Sequence, residues 1–138
     1  AYGLMQLVPE SGAKDAYRHV YGEKRLLGPD YLYQPARNIE LGIGYLHLLM
    51  NGYLDGIKNR QSRIYCAVAS YNTGAGNLAK TFVGSTNIQR AEKVINRLTP
   101  EEVYNKLRSS LPYEETKHYI KRVRKRRPKY EPWEVISP

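Results

Sequence analysis

The sequence predicts an all-α protein, and three observations carry that prediction. Apolar residues recur at helical spacing through most of the chain. Helix starters and stoppers fall between those runs. No two runs alternate as a strand pair would, and no repeat of 20 to 50 residues is present. With 138 residues, 41% of them hydrophobic, the chain has the size of one helical domain with one core.

The elements follow in order. After "GLMQLV", Pro9 suits the first turn of a helix in which Ala13, Ala16, Tyr17 and Val20 share a face, and Gly22 stops it. The segment "GEKRLLGPDYLYQP", Gly22 to Pro35, has no period and reads as a long loop. From Pro35, "PARNIELGIGYLHLLMNG" places Ile39, Ile43, Leu46 and Met50 on one stripe, with Gly42 on the same face. Gly42 and Gly44 each cost a helix about 1 kcal/mol relative to alanine, so they point to close packing there.

Residues 61 to 71 form a third, largely buried helix ending in "ASYNTGAGN". Residues 87 to 98 carry Ile88, Ala91, Ile95 and Leu98 as an amphipathic helix. In "TPEE", Thr99 is an N-cap, Pro100 the first helical residue and Glu102 the partner of a capping box for a helix through Leu107. A last helix begins near Pro112 and runs through "YEETKHYIKRV".

Composition excludes several function classes. Thirteen Tyr stand against one Phe and one Trp, which favours rings that pack on one side and hydrogen-bond at the tip. The single cysteine, Cys66, lies in the apolar run "IYCAVASY" and reads as a buried small hydrophobe. His19, His47 and His118 lack the spacing of a zinc motif, so no metal and no cofactor is expected. No run approaches the roughly 18 apolar residues that span a bilayer, and no signal peptide opens the chain. Net charge is +9, and eight Lys or Arg with no acid fall within 117–129, leaving the rest of the chain nearly neutral.

Three clusters carry groups for chemistry. Tyr71 and Asn72 stand at a buried helix end, where Gly74 and Gly76 let the backbone turn and another object approach; a purely structural cap is the competing reading. In "GLMQ", Gly3 permits close approach and Gln6 offers a neutral amide with donors and an acceptor. Glu115 and Tyr119 are four apart on one helical face, though an ordinary exposed helix would show the same pair.

The order "AYGLMQLVPES", "ASYNTGAGN", "LPYEETKHYIKRV" resembles the lytic murein transglycosylases of the SLT, goose-type-lysozyme-like family, and within it the membrane-bound type C group. The resemblance covers most of the chain, including the "NIELGIGYLHLL" helix, and is weakest after Val123. It implies a lysozyme-like single helical domain over residues 1–127, with 128–138 as a C-terminal extension. It also implies that Gln6, Val8, Tyr71, Asn72, Glu115 and Tyr119 line a sugar-binding cleft for peptidoglycan glycan strands. Ser70 replaces the motif's usual alanine, and Val8 stands where the family often has methionine.

The family's catalytic glutamate sits in a Glu-Ser pair on a helix before "GLMQ", so here it is expected about 15 to 25 residues upstream of Ala1. Glu10-Ser11 mimics the pair but follows the motif and does not inherit the role. The chain, opening on Ala1 directly against a motif, is therefore expected to be a fragment or processed product. The implied reaction is non-hydrolytic: one buried carboxyl protonates the bridging oxygen between N-acetylmuramic acid and N-acetylglucosamine. It then accepts the muramyl 6-hydroxyl proton as that oxygen closes on C1, giving a 1,6-anhydro end. The resemblance further implies a periplasmic, outer-membrane-associated location, with anchoring by a preceding segment. The competing functions are a non-catalytic glycan-binding module and a nucleic-acid-binding helical domain using 117–129; nucleic acid is not the expected partner.

Overall fold

The computed structural model describes residues 1–110, 121, 124 and 125. Their regular structure is helical, apart from one isolated bridge between Tyr2 and Leu7. The chain divides into two compact units, Ala1–Gly56 and Ile57–Pro138.

The first unit opens with a tight turn. The Tyr2 N–H donates to the Leu7 carbonyl (2.9 Å) and the Leu7 N–H to that of Tyr2 (3.0 Å), closing a loop over Gly3–Gln6. Pro9–Ala13 forms one wide helical turn, with the Ala13 N–H reaching back to the Val8 carbonyl at 3.0 Å. Helix α1, Lys14–Tyr21, continues from it and stops at Gly22, whose φ of 75° is the left-handed conformation expected of a helix stop. Ala13, Ala16 and Tyr17 are buried as the spacing predicts, while Val20 is exposed.

Two expectations for this unit are corrected. Within the stretch read as a long loop, Pro29–Leu32 forms a short helix α2, with Pro29 starting it and Leu32 buried. One turn of helix offers no recurrence for a periodicity reading to detect. Helix α3, Pro35–Leu48, followed by a second wide turn Leu49–Tyr53, forms where expected but faces inward with a different stripe. Asn38, Leu41, Gly42, Tyr45 and Leu49 are buried, whereas Ile39 is 39% and Ile43 60% exposed.

Small residues decide that choice. A Cβ on Gly42 would lie 2.6 Å from Met5 Cγ, one on Gly44 2.6 Å from Val20 Cγ2, and one on Gly12 2.9 Å from Tyr45 Cε2. The close approach anticipated at Gly42 and Gly44 is present, and it draws the side carrying Asn38 and Tyr45 into the core.

In the second unit, side-chain caps start three of the four described helices. Helix α4, Arg60–Thr73, is started by Asn59, whose Oδ1 accepts the Ser62 N–H at 2.9 Å. Helix α5, Ala75–Val83, lies where sequence reading assigned no element, and follows α4 after the single residue Gly74. Helix α6, Ile88–Ile95, is capped by Asn87 through the Arg90 N–H (3.1 Å). Helix α7, Pro100–Ser110, carries the anticipated capping box. The Glu102 N–H donates to Thr99 Oγ1 (3.2 Å) and the Thr99 N–H to Glu102 Oε1 (3.0 Å).

The core of this unit gathers Ile57, Tyr65, Cys66, Leu78, Ile95, Val103 and Leu107. Burial pushes the Cys66 thiol upward, away from the reactive thiolate, as befits a packed side chain. Arg124 lies 4.1 Å above the Tyr104 ring and pairs with Glu101. The expected helix from Pro112, the extension 128–138 and most of the basic run 117–129 lie outside the described residues.

Candidate functional site

The "GLMQ" segment is a turn fastened from behind. Gly3 adopts φ 73°, and a Cβ there would sit 2.6 Å from Asn38 Cγ and 2.7 Å from the Leu32 carbonyl, so glycine is needed for both conformation and space. The fastener is Asn38, buried on α3. Its Oδ1 accepts the Met5 N–H at 2.7 Å, and its Nδ2 donates to the Tyr2 (2.9 Å) and Leu32 (2.7 Å) carbonyls. One buried amide thus satisfies three backbone groups of the turn and its support. Met5 fills the space that Gly42 leaves.

This fastening holds Gln6 in a conformation that side chains avoid. Gln6 has φ 51°, the one positive value among the described non-glycine residues, and its side chain is exposed. Its Nε2 donates to the Gly3 carbonyl (2.8 Å), which also accepts the Gln6 backbone N–H (3.1 Å). The amide is oriented at the turn's outer surface, able to hydrogen-bond a neutral polar ligand. Val8 is 43% exposed, two residues further on. The Tyr2 ring meets Tyr33 edge-on at 5.3 Å, an aromatic contact beside the same turn.

The second segment is fastened locally. The Gly74 N–H donates to the Ser70 carbonyl at 2.7 Å, ending α4, and the Leu78 N–H donates to the Gly74 carbonyl at 3.1 Å, starting α5. At φ 90°, ψ 147°, Gly74 occupies backbone space essentially reserved for glycine. Asn77 Nδ2 spans the break to the Thr73 carbonyl at 2.9 Å. This leaves Tyr71 half-buried and Asn72 exposed in the last turn of α4. Ser70, just before them, is fully buried, and its Oγ has no hydrogen-bond partner among the described residues.

Gln6 and Val8 therefore belong to the first unit and Tyr71 and Asn72 to the second, while Glu115 and Tyr119 lie outside the described residues. Asn38 is the residue that sequence reading missed; its signal was a lone amide inside the apolar run "NIELGIGYL". Glu10 is exposed; among the described residues no Asp or Glu is buried as a whole residue, though the Glu92 Oε2 is out of solvent.

The profile of the family described as "Transglycosylase SLT domain" matches residues 1–98, a stretch holding both fastened turns. The chain belongs to that family. Its similarity to particular SLT relatives extends further along the chain. It is 39% identical over 130 residues to the membrane-bound lytic murein transglycosylase C of Histophilus somni (strain 2336), covering 94% of this chain and 35% of that protein. It is 40% identical over 123 residues to the protein of the same name from Klebsiella pneumoniae (strain 342), covering 89% of this chain and 33% of that protein. The chain thus spans about a third of the length of the curated relatives it matches. The Asn38 clamp holds the "GLMQ" turn that carries Gln6.

Proposed function

We propose that this chain is the glycan-gripping part of a lytic transglycosylase that cleaves the bond between N-acetylmuramic acid and N-acetylglucosamine in peptidoglycan without consuming water. The observation that carries this reading is the family match over 1–98, which includes both the clamped Gln6 turn and the Tyr71–Asn72 helix end. The amides of Gln6 and Asn72 and the phenols of Tyr71 and Tyr119 are suited to the hydroxyl and N-acetyl groups of an uncharged glycan, beside apolar Val8 and the Glu115 carboxylate. In this reading Gln6, Val8, Tyr71 and Asn72 touch the sugar, with Glu115 and Tyr119 completing the set. Residues 1–127 act as the catalytic domain and 128–138 as an extension.

The acid is supplied by a glutamate N-terminal to Ala1 in the longer protein. Kept protonated by burial, it protonates the bridging oxygen as the C1–O bond breaks. Its carboxylate then takes the 6-hydroxyl proton while that oxygen bonds to C1, so no water enters and the carboxyl is regenerated. The intramolecular nucleophile removes the need for the second carboxylate of the usual glycosidase pair. The proposed location is the periplasm, at the outer membrane. None of the described helices is long and apolar enough to cross a membrane; the name of the relatives, membrane-bound lytic murein transglycosylase C, supports this location.

The test is digestion of purified sacculi by the chain extended upstream through its Glu-Ser pair, with products read by mass spectrometry. Anhydromuropeptides are expected, and Gln6→Ala or Tyr71→Ala is expected to reduce their release. Reducing-end muramic acid would make the protein a lysozyme, and binding without release would make it a glycan-binding module.

A further inference from the structure

Two histidines that are 28 residues apart in sequence meet on the surface of the first unit. His19, in the last turn of α1, and His47, in the last turn of α3, bring Nε2 and Nδ1 to 3.0 Å, with ring centroids 5.2 Å apart. Both rings are exposed, so neither is a core group satisfied by burial. Their backbone frames are held by the helix packing described above: Val20, next to His19, lies against Gly44, three residues before His47, and Tyr21 hydrogen-bonds Glu40 across the same seam.

We infer that His19 and His47 form a two-imidazole chelate for a late first-row divalent cation, with Cu²⁺ bound most tightly. Metal–imidazole bonds of about 2.05 Å to two nitrogens this far apart correspond to an angle of roughly 90 to 95° at the metal. That angle suits adjacent positions of a tetragonal Cu²⁺ or Ni²⁺ ion better than a tetrahedral Zn²⁺, and imidazole suits all three. The hydrogen now shared by the two rings moves to the donor ring's other nitrogen, freeing both lone pairs with no net loss of protons from the neutral pair. The histidines also stand near the carbonyl end of α1, where partial negative charge favours a cation. Two imidazoles occupy two coordination positions, and water fills the others, so the proposed site is an open one.

This inference is independent of the glycan reading. It is tested on the chain itself by titrating Cu²⁺ in a non-coordinating buffer near neutral pH, following heat by calorimetry and coordination by electron paramagnetic resonance. One equivalent is expected to bind, with splitting from two nitrogens. His19→Ala and His47→Ala are each expected to weaken binding by about tenfold or more, as when one arm of a chelate is lost, and to leave one nitrogen in the spectrum. His19→Gln and His47→Gln, which keep a hydrogen-bonding amide on the helices, should behave the same way with unchanged helicity. His118→Ala should bind like the parent. Absence of one-to-one binding, or full binding by the His19 and His47 variants, would overturn the assignment.

Discussion

The two fastened turns reach similar ends by opposite means. The Gly3–Gln6 turn is held by a residue more than thirty positions away, Asn38, and by helix packing at Gly42. The Tyr71–Asn77 break is held by its own neighbours, through Ser70, Gly74, Asn77 and Leu78. The first depends on tertiary structure and breaks when a distant side chain is lost. The hydrogen bonds that close the second at Gly74 and Asn77 run between near neighbours in sequence.

The sharpest way to break this comparison is to remove the clamp. Asn38→Ala removes the amide that pairs with the Leu32 carbonyl and the Met5 N–H and one of the two donors to the Tyr2 carbonyl, and is expected to cost about 3 kcal/mol in urea unfolding. Gly3→Ala combines a positive φ with overlap against Asn38 and the Leu32 carbonyl, for a loss of about 2–4 kcal/mol. Gly74→Ala meets nothing within 4 Å and suffers only its backbone conformation, so about 1–3 kcal/mol is expected. If Gly74→Ala proves costlier than Gly3→Ala, the contrast between distant and local fastening fails.

Alkaline pH probes Tyr45 in the first unit together with Cys66 in the second, both held protonated by burial. Burial, with a further contribution from Asp15, pushes the Tyr45 phenol from 10.0 up to about 12. The folded state therefore holds its proton where the unfolded chain has lost it. The Tyr45 contribution is intact below pH 10 and falls as pH climbs toward 12, by up to about 2 kcal/mol. Tyr45→Phe should make that slope shallower in unfolding curves measured between pH 9 and pH 12, leaving the part that the buried Cys66 thiol contributes.

Local fastening in the second unit gives smaller effects. Thr99→Ala removes the cap of α7 and should cost about 1 kcal/mol. The Glu102 carboxyl is held below its usual range by the Thr99 N–H and hydroxyl. Its contribution is present above the ordinary glutamate range and disappears as pH falls through the lowered value, a dependence that Glu102→Gln should abolish. Smallest is Ser70→Ala, which removes a buried, unpartnered hydroxyl and should stabilise by about 0.5–1 kcal/mol in thermal unfolding.

Legibility in the sequence follows the same division. The stop at Gly22, the capping box at Thr99 and the end of α4 at "YNTG" were readable because each is decided by residues within four positions. Helix α5 was missed because Gly74 and Gly76 drew attention as a turn, although the break needs only Gly74. The inward stripe of α3 was misread because Ile39 and Ile43 make an apolar line as regular as Leu41, Tyr45 and Leu49. Of the candidate site, Gln6, Tyr71 and Asn72 are named by motif, while Asn38, which touches no ligand in the proposed function, carries no motif.

The sequence by itself determined the helical class, most helix boundaries and the family, because caps, glycine conformations and motifs are properties of adjacent residues. Tertiary structure decided which face of α3 turns inward, how the Gly3–Gln6 turn is clamped and that His19 meets His47. Those outcomes depend on which side chains can approach across small residues once distant helices pack, and spacing along the chain carries no record of that.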